Sequence, residues 1–273
     1  MTWRWRSPPP RRRPGANLLF ALRTRTGPGL PHLLLGATGM VALIFLLPLA
    51  DAPELSRTAR IAAYALVLAP VALLLNGCLL AARVHATSRL LILAAAAGAS
   101  GVLFALIARP ENLENGSGAL LALALANLFR IVAAACVGIS LARYVSSVGV
   151  VLLIVAVATV SDLFSVFAGP TKILVQEDSP ILDLLLLIFP TFGSPLGFGL
   201  GVSDIIFLAL FAAASRFLDL RHLATLLCLC FATFLAVTAG LLLERPLPAL
   251  PFIAIAFVLV NLDLILAPLA RRP

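Results

Sequence analysis

Long apolar runs separated by short polar connections occupy most of the chain. Eight of these runs approach the length of a membrane-spanning helix, which needs about 20 apolar residues. They cover residues 32–50, 59–83, 88–108, 117–142, 147–168, 196–215, 222–243 and 249–268. A shorter run, 181–189, lies between two prolines and as a helix would be only about 14 Å long, so it predicts a re-entrant or interfacial segment. The pattern predicts an all-α, polytopic transmembrane bundle of eight spans, or nine if one is missed.

Composition supports the same class of protein. Hydrophobic residues make up 62% of the 273 residues and charged residues 12%, whereas a soluble domain is roughly half apolar and a quarter charged. The mean hydropathy is +1.09. A water-soluble fold is therefore excluded, and the lipid bilayer is the expected surroundings. In such a protein the net charge of +8 sets orientation and does not indicate nucleic-acid binding.

The chain divides into three predicted regions. Residues 1–31 are rich in arginine and proline and predict a disordered, polybasic arm. Residues 32–145 are expected to form a transmembrane scaffold, and residues 146–273 carry the candidate site. With the arm in the cytoplasm, 14 basic residues lie in cytoplasmic segments and 5 in external ones. This imbalance predicts that both termini are cytoplasmic.

The cysteines and histidines do not form a recognisable chemical motif. The cysteines lie inside apolar runs without Cys-x-x-Cys spacing, which is typical of small buried residues: Cys78, Cys136, Cys228 and Cys230. The histidines lie at the ends of apolar runs and outside any His-Glu-x-x-His motif: His32, His85 and His222. The sequence therefore predicts no metal or cofactor, and argues against a zinc or a Ser/His intramembrane protease.

Ionisable residues inside a membrane span are costly, so each is a candidate for function. Four fall within the predicted spans: Arg130, Asp162, Asp204 and Asp263. Asp263 lies near the end of the last span, with Arg271 and Arg272 close behind, and is interpreted as a snorkelling or end-paired acid. Arg130 either faces a water-filled cavity or pairs with an acid, and the residues leave both open.

Asp162 and Asp204 lie on the two spans that flank the 169–195 connection, so those spans are antiparallel. Counted as helix, both residues lie roughly 10–14 Å from the same, external membrane face. Two carboxyls about 3 Å apart share one proton, so one can activate water while the other hydrogen-bonds a scissile carbonyl. A proton or cation site in a transporter and ion pairing with Arg130 are the alternatives.

Three short segments around these acids occur in a fixed order. They read Ser161-Asp162, Gly201-Val202-Ser203-Asp204 and Pro248-Ala249-Leu250. They resemble the Tyr-Asp, Gly-x-Gly-Asp and Pro-Ala-Leu motifs of the presenilin and signal peptide peptidase family of intramembrane aspartyl proteases. Ser161 replaces the tyrosine of the first motif, and Ser203 replaces the second glycine of the second. The resemblance covers about residues 155–265, and four predicted spans precede Asp162 where the family has five.

The resemblance implies a short, prokaryotic-type relative in the plasma membrane, with a presenilin-like fold. It implies Asp162 and Asp204 as the catalytic pair. It implies substrate contacts from Gly201, Ser203, Pro248, Ala249 and Leu250. The 169–195 connection is then a candidate gate, and the substrate is a transmembrane peptide or membrane protein. The alternative is an ion- or proton-coupled transporter, or a non-catalytic presenilin-like protein, that uses the same acids.

The orientation predicts the class of substrate. If the Asp162 span runs from the cytoplasm to the outside, the spans that carry the two acids have the orientation found in signal peptide peptidase. The resemblance then implies substrates with cytoplasmic N-termini, such as signal peptides or type II segments. A topology reporter inserted within residues 171–179 is expected to show that this loop lies outside the cytoplasm. A reporter signal that places the loop in the cytoplasm would reverse the substrate prediction.

Overall fold

The computed structural model of the protein describes residues 29–49, 57–108, 117–169, 184–245 and 247–270. Within these ranges the chain is mostly helical and contains one antiparallel two-stranded sheet. The helices are α1 (Leu30–Leu46), α2 (Arg57–Ala81), α3 (Thr87–Ile107), α4 (Ser117–Ala142), α5 (Val148–Phe167), α6 (Val202–Phe217), α7 (His222–Leu243), α8 (Leu250–Val260) and α9 (Leu262–Ala270). The strands are β1 (Leu186–Thr191) and β2 (Ser194–Gly201). Residues 1–28 of the predicted arm lie outside the described residues.

Among the described residues, five helices are long and apolar enough to cross a membrane, which makes this a multi-pass integral membrane protein. They are α2, α3, α4, α5 and α7. The two further apolar helices α1 and α8 are shorter, with 17 and 11 residues. The five long helices confirm the prediction of a helical membrane protein, a class in which the backbone satisfies its hydrogen bonds within the chain. The described residues show fewer candidate spans than the eight predicted.

Helix α4 is the centre of the bundle and packs against α1, α2, α3 and α6. The α4–α6 contact is close because small side chains line it on both helices. In α6 the buried small residues include Ala209, Ala212 and Ala213, all fully buried. Gly138 lies opposite them on α4, next to the backbone of Ile206. Small residues permit such contacts where lipid supplies no hydrophobic drive between helices.

The described part of the short run 181–189, from residue 184, continues into strand β1 and does not form the helix considered for it; that the run is re-entrant or interfacial stays a prediction. Strand β1 pairs with β2 in the register Leu187 opposite Leu200 and Phe189 opposite Phe198. The strands are joined by a tight turn in which Gly193 has a φ of 75°, a conformation that costs glycine little. The Gly193 N–H donates to the Leu47 carbonyl at the end of α1 at 3.0 Å.

The predicted helical span at 196–215 is also partly wrong, because its first residues form β2 and the helix begins only at Val202. Glycine occupies alternate positions at Gly197, Gly199 and Gly201. Glycine in a helix interior costs about 1 kcal/mol relative to alanine, so three within five residues disfavour a helix. The remaining helix α6 has 16 residues.

The last predicted span, 249–268, is divided at Asn261 into α8 and α9. Asn261 is fully buried, and its side-chain amide donates to the Thr225 hydroxyl and to the Phe257 carbonyl, both at 3.0 Å. Its side-chain oxygen accepts from the Arg221 N–H at 3.2 Å. These bonds satisfy a polar side chain that would otherwise be costly in the bundle, and they join the break to the start of α7.

The α4–α6 contact generates a stability prediction. A Cβ added at Gly138 would lie 2.8 Å from the Cβ of Ala209 and 3.0 Å from the Leu210 nitrogen. Gly138→Ala is therefore expected to destabilise the protein by about 1–3 kcal/mol, the usual cost of overpacking, measured by unfolding in mixed detergent micelles. Gly118→Ala in the same helix is the control, because no atom lies within 4 Å of its added Cβ. Equal effects of the two changes would contradict the close contact.

Candidate functional site

Asp162 lies near the C-terminal end of α5 and contacts the beginning of α8. Its Oδ2 accepts a hydrogen bond from the backbone N–H of Leu250 at 3.0 Å. The first N–H groups of a helix have no partner within the helix and carry partial positive charge, so a carboxylate is favoured there. The α8 helix starts at this point because Pro251 occupies one of its first positions, where a missing N–H costs nothing.

Asp204 lies in the first turn of α6, three residues after Gly201, which precedes the helix as its N-terminal cap. Its carboxyl accepts a hydrogen bond from the backbone N–H of Gly201. An acid that reaches back to the cap N–H in this way forms half of a capping box. Both acids are thus held by backbone donors at helix N-termini.

The two aspartates share one cavity of about 620 Å³ and are close enough to interact electrostatically. The wall beside them is formed by β2, by the end of α7 and by Pro248-Ala249. Charged residues also line the cavity: Arg60, Glu244 and Arg245. Within the described part of the chain, neither aspartate forms an ion pair, since the two ion pairs there join Arg57 to Glu244 and Arg221 to Asp263.

A second cavity, of about 550 Å³, begins at the same acid and continues along α5. Asp162 and Ser203 line both cavities. Most of the remaining lining of the second cavity is apolar, and Leu153 and Val157 in this wall are 63% and 61% exposed. The cavity is therefore open along the outside of α5. Asp162 and Ser203 lie where the first cavity, which charged residues also line, meets this more apolar one.

The predicted distance of Asp204 from the membrane face is wrong, because it assumes a helix over residues 196–203. Strand β2 extends to Gly201, and Asp204 follows directly in the first turn of α6. The shared cavity nevertheless brings the two acids close together, as the prediction required. The described part of the 169–195 connection, from residue 184, is the β-hairpin that forms a wall of that cavity, and residues 170–183 lie outside the description.

The other predicted site residues surround the acids. Pro248, Ala249 and Leu250 are all buried, with Ala249 and Leu250 exposed by 7% and 5%. Gly201 approaches Asp204 so closely that an added Cβ would lie 3.0 Å from its Oδ2. Ser203 is exposed to both cavities. These residues can orient a bound chain and the two carboxyls.

Two other charged residues in the predicted spans have separate roles. Asp263 pairs with Arg221 at 2.6 Å, so it is an end-paired acid, with Arg221 as its partner in place of the arginines beyond it in sequence. Arg130 on α4 is only 5% exposed and donates from Nη1 to the Leu186 carbonyl at 2.6 Å. Arg130 therefore binds β1.

Two buried residues near the site, Asn127 and Tyr64, were not predicted from the sequence. Asn127, fully buried on α4, donates to the Ile188 carbonyl at 2.6 Å. Tyr64, also fully buried, packs edge-on against Phe198 of β2 with ring centroids 4.6 Å apart. A signal for Asn127 existed, since it is an amide one helical turn before Arg130 inside a predicted span. Tyr64 had no comparable signal.

Comparison with known proteins gives no match for this chain, whether against protein-family models, curated proteins or solved structures.

The site generates a prediction about stability. Asp204 is an acid close to a second acid, Asp162, inside the bundle, so its neutral isostere should relieve repulsion and desolvation. Asp204→Asn is expected to stabilise the protein by about 0.5–2 kcal/mol, as substitutions at functional sites commonly do. Unfolding in detergent measures this, with Asp263→Asn, which breaks an exposed ion pair, as the control expected to give no gain. A loss with Asp204→Asn larger than with the control would assign Asp204 a structural role.

Proposed function

We propose that this protein is an intramembrane aspartyl protease that hydrolyses peptide bonds within transmembrane segments, with Asp162 and Asp204 as its catalytic pair. The observation that carries the proposal is that two aspartates, each held by a backbone N–H and neither in an ion pair with a described residue, line one cavity inside a membrane protein. Acids in such surroundings are costly and mark function by default. Structural ion pairing with Arg130 is disfavoured, because its guanidinium binds a strand carbonyl.

The chemistry requires one proton shared by the two carboxyls. The ionised carboxyl takes a proton from water, whose oxygen attacks the peptide carbonyl carbon, while the protonated carboxyl donates to the carbonyl oxygen. The tetrahedral intermediate then breaks its C–N bond: the leaving nitrogen takes a proton from one carboxyl, and a hydroxyl of the intermediate gives its proton to the other, which restores the pair with one proton. No covalent enzyme intermediate forms. The charged residues in the lining of the first cavity, Arg60, Glu244 and Arg245, give water a route to the acids.

The β-hairpin supplies a reason for an extended peptide to bind beside the acids. The carbonyls of Leu186 and Ile188 point to α4, and the residues opposite them on β2 are Gly201 and Gly199. In an antiparallel pair these positions direct their backbone groups away from the partner strand. The outer edge of β2 therefore turns the backbone groups of Gly199 and Gly201 toward the cavity that Asp204 lines. An unwound substrate segment can pair with this edge by strand addition.

The second cavity suits the apolar part of the substrate. It is lined mainly by apolar side chains, including Leu153, Val157 and Phe207, and it reaches Asp162 from the lipid-facing side of α5. A transmembrane helix could approach there without crossing a polar surface. Ser161 and Ser165 provide hydroxyls near the acid end of this cavity. The second cavity would hold the helical part of the substrate, and the first cavity would hold the unwound part.

The finer assignment rests on the sequence. We propose that the chain is a short relative of presenilin and signal peptide peptidase with eight spans. In this count α1 is one span, β2 with α6 forms another, and α8 with α9 forms the last. Both termini are cytoplasmic, the membrane is the plasma membrane of a prokaryote, and the substrates are signal peptides or type II segments. The pattern of basic residues and the three ordered motifs support this assignment.

Cleavage of a model transmembrane peptide by the purified protein in detergent tests the proposal. Asp162→Ala and Asp204→Ala are each expected to abolish cleavage, because neither carboxyl alone can supply both acid and base. A transition-state-mimicking aspartyl protease inhibitor is expected to bind only the wild type. Asp263→Ala is the matched control and should retain activity, since Asp263 pairs with Arg221 and does not line the acid cavity.

Two outcomes would contradict the proposal. The first is cleavage that survives both aspartate substitutions. The second is absence of cleavage by the wild type against a panel of signal peptides and type II segments, together with loss of proton or cation flux in the aspartate variants. That second result would assign the acids to a transporter.

A further inference from the structure

Strand β1 is held to the central helix α4 by two polar side chains. The Asn127 amide nitrogen donates to the Ile188 carbonyl, and Arg130 Nη1 donates to the Leu186 carbonyl, each at 2.6 Å. The two donors are three residues apart on α4, about 4.5 Å along its axis, and the two acceptors are two residues apart on β1, about 6.6 Å. The longer arginine side chain spans the difference.

These two contacts offset an energetic cost on α4 and another on β1. A buried amide and a buried guanidinium are unfavourable in a membrane bundle unless they are paired. The outer edge of a two-stranded sheet likewise exposes carbonyls that water cannot reach there. Asn127 is fully buried and Arg130 is 5% exposed, so neither is a surface contact. The edge of β1 facing α4 is thereby occupied, whereas no strand among the described residues pairs with the outer edge of β2.

A short path of bonded elements leads from this contact to the acids. Leu186 of β1 pairs with Gly201 of β2, and Gly201 is both the cap of α6 and the hydrogen-bond donor to Asp204. The position of β1 against α4 therefore determines the position of Gly201. We propose that Asn127 and Arg130 are positioning residues that fix the hairpin to α4 and so set the place of Asp204 and of the open β2 edge. The effect on catalysis rests on the proposed proteolytic function.

The first experiment measures cleavage kinetics for variants that lose one donor. Arg130→Met and Asn127→Leu are each expected to raise KM and lower kcat, reducing kcat/KM about tenfold or more, because the hairpin carries both the binding edge and the anchor of Asp204. Arg130→Lys keeps a cationic donor and should recover much of the loss. Asn261→Leu is the control for buried polar loss elsewhere, and it should lower stability while leaving KM unchanged.

The second experiment reads the hairpin without requiring cleavage. Hydrogen–deuterium exchange of the full-length protein in detergent is expected to be at least tenfold faster across 186–201 in Arg130→Met and Asn127→Leu than in the wild type. Exchange across α7 should be unchanged, which separates a local release from general unfolding. Arg130→Lys should exchange nearly as slowly as the wild type.

The outcomes separate the two proposals. Faster hairpin exchange in a protein whose wild type does not cleave would support the positioning role and overturn the proteolytic function. A wild type that cleaves, with variants that change neither KM nor hairpin exchange, would overturn the positioning role alone. A lower kcat at unchanged KM with uniformly faster exchange would also overturn it, because that pattern reports only a smaller folded fraction.

Discussion

The site depends on one kind of interaction, the hydrogen bond from a backbone N–H at a helix N-terminus to a carboxyl. Asp162 takes this bond from Leu250 at the start of α8, and Asp204 takes it from Gly201 at the start of α6. In a membrane bundle such donors stabilise negative charge without introducing a cation. A lysine or arginine would hold either acid permanently ionised, whereas a backbone donor leaves room for a shared proton.

The hairpin reconciles two requirements that conflict within lipid. A membrane protein must pair its backbone groups internally, yet the proposed protease function requires unpaired groups for a substrate. Here one edge of the sheet is closed by side chains from α4 and the other borders the cavity of the two aspartates. The glycines of β2 add no side chains along this border, where another backbone could approach. The irregular backbone is thus confined to the part of the bundle that faces a cavity.

The sequence predicted the helical bundle because lipid leaves few alternatives for a long apolar run. Asp162 and Asp204 could be identified as candidates because charge is rare within such runs. The hairpin could not be predicted, since a short apolar run does not separate a strand from a buried helix by periodicity. Its stabilising donors, Asn127 and Arg130, are 61 and 56 residues away in sequence from the carbonyls they bind. The break at Asn261 likewise depends on a distant partner, Thr225.

The bond between Asp162 and Leu250 joins a side chain to the main chain, and this limits what genetics can reveal about it. Every amino acid except proline supplies the same donor at position 250, so ordinary mutagenesis leaves the partner of Asp162 in place. For the same reason, a change of side chain at residue 250 needs no compensating change at Asp162 to keep this bond. The donor of this bond cannot be detected by a survey of covarying positions, because its position depends only on the residue at which α8 begins.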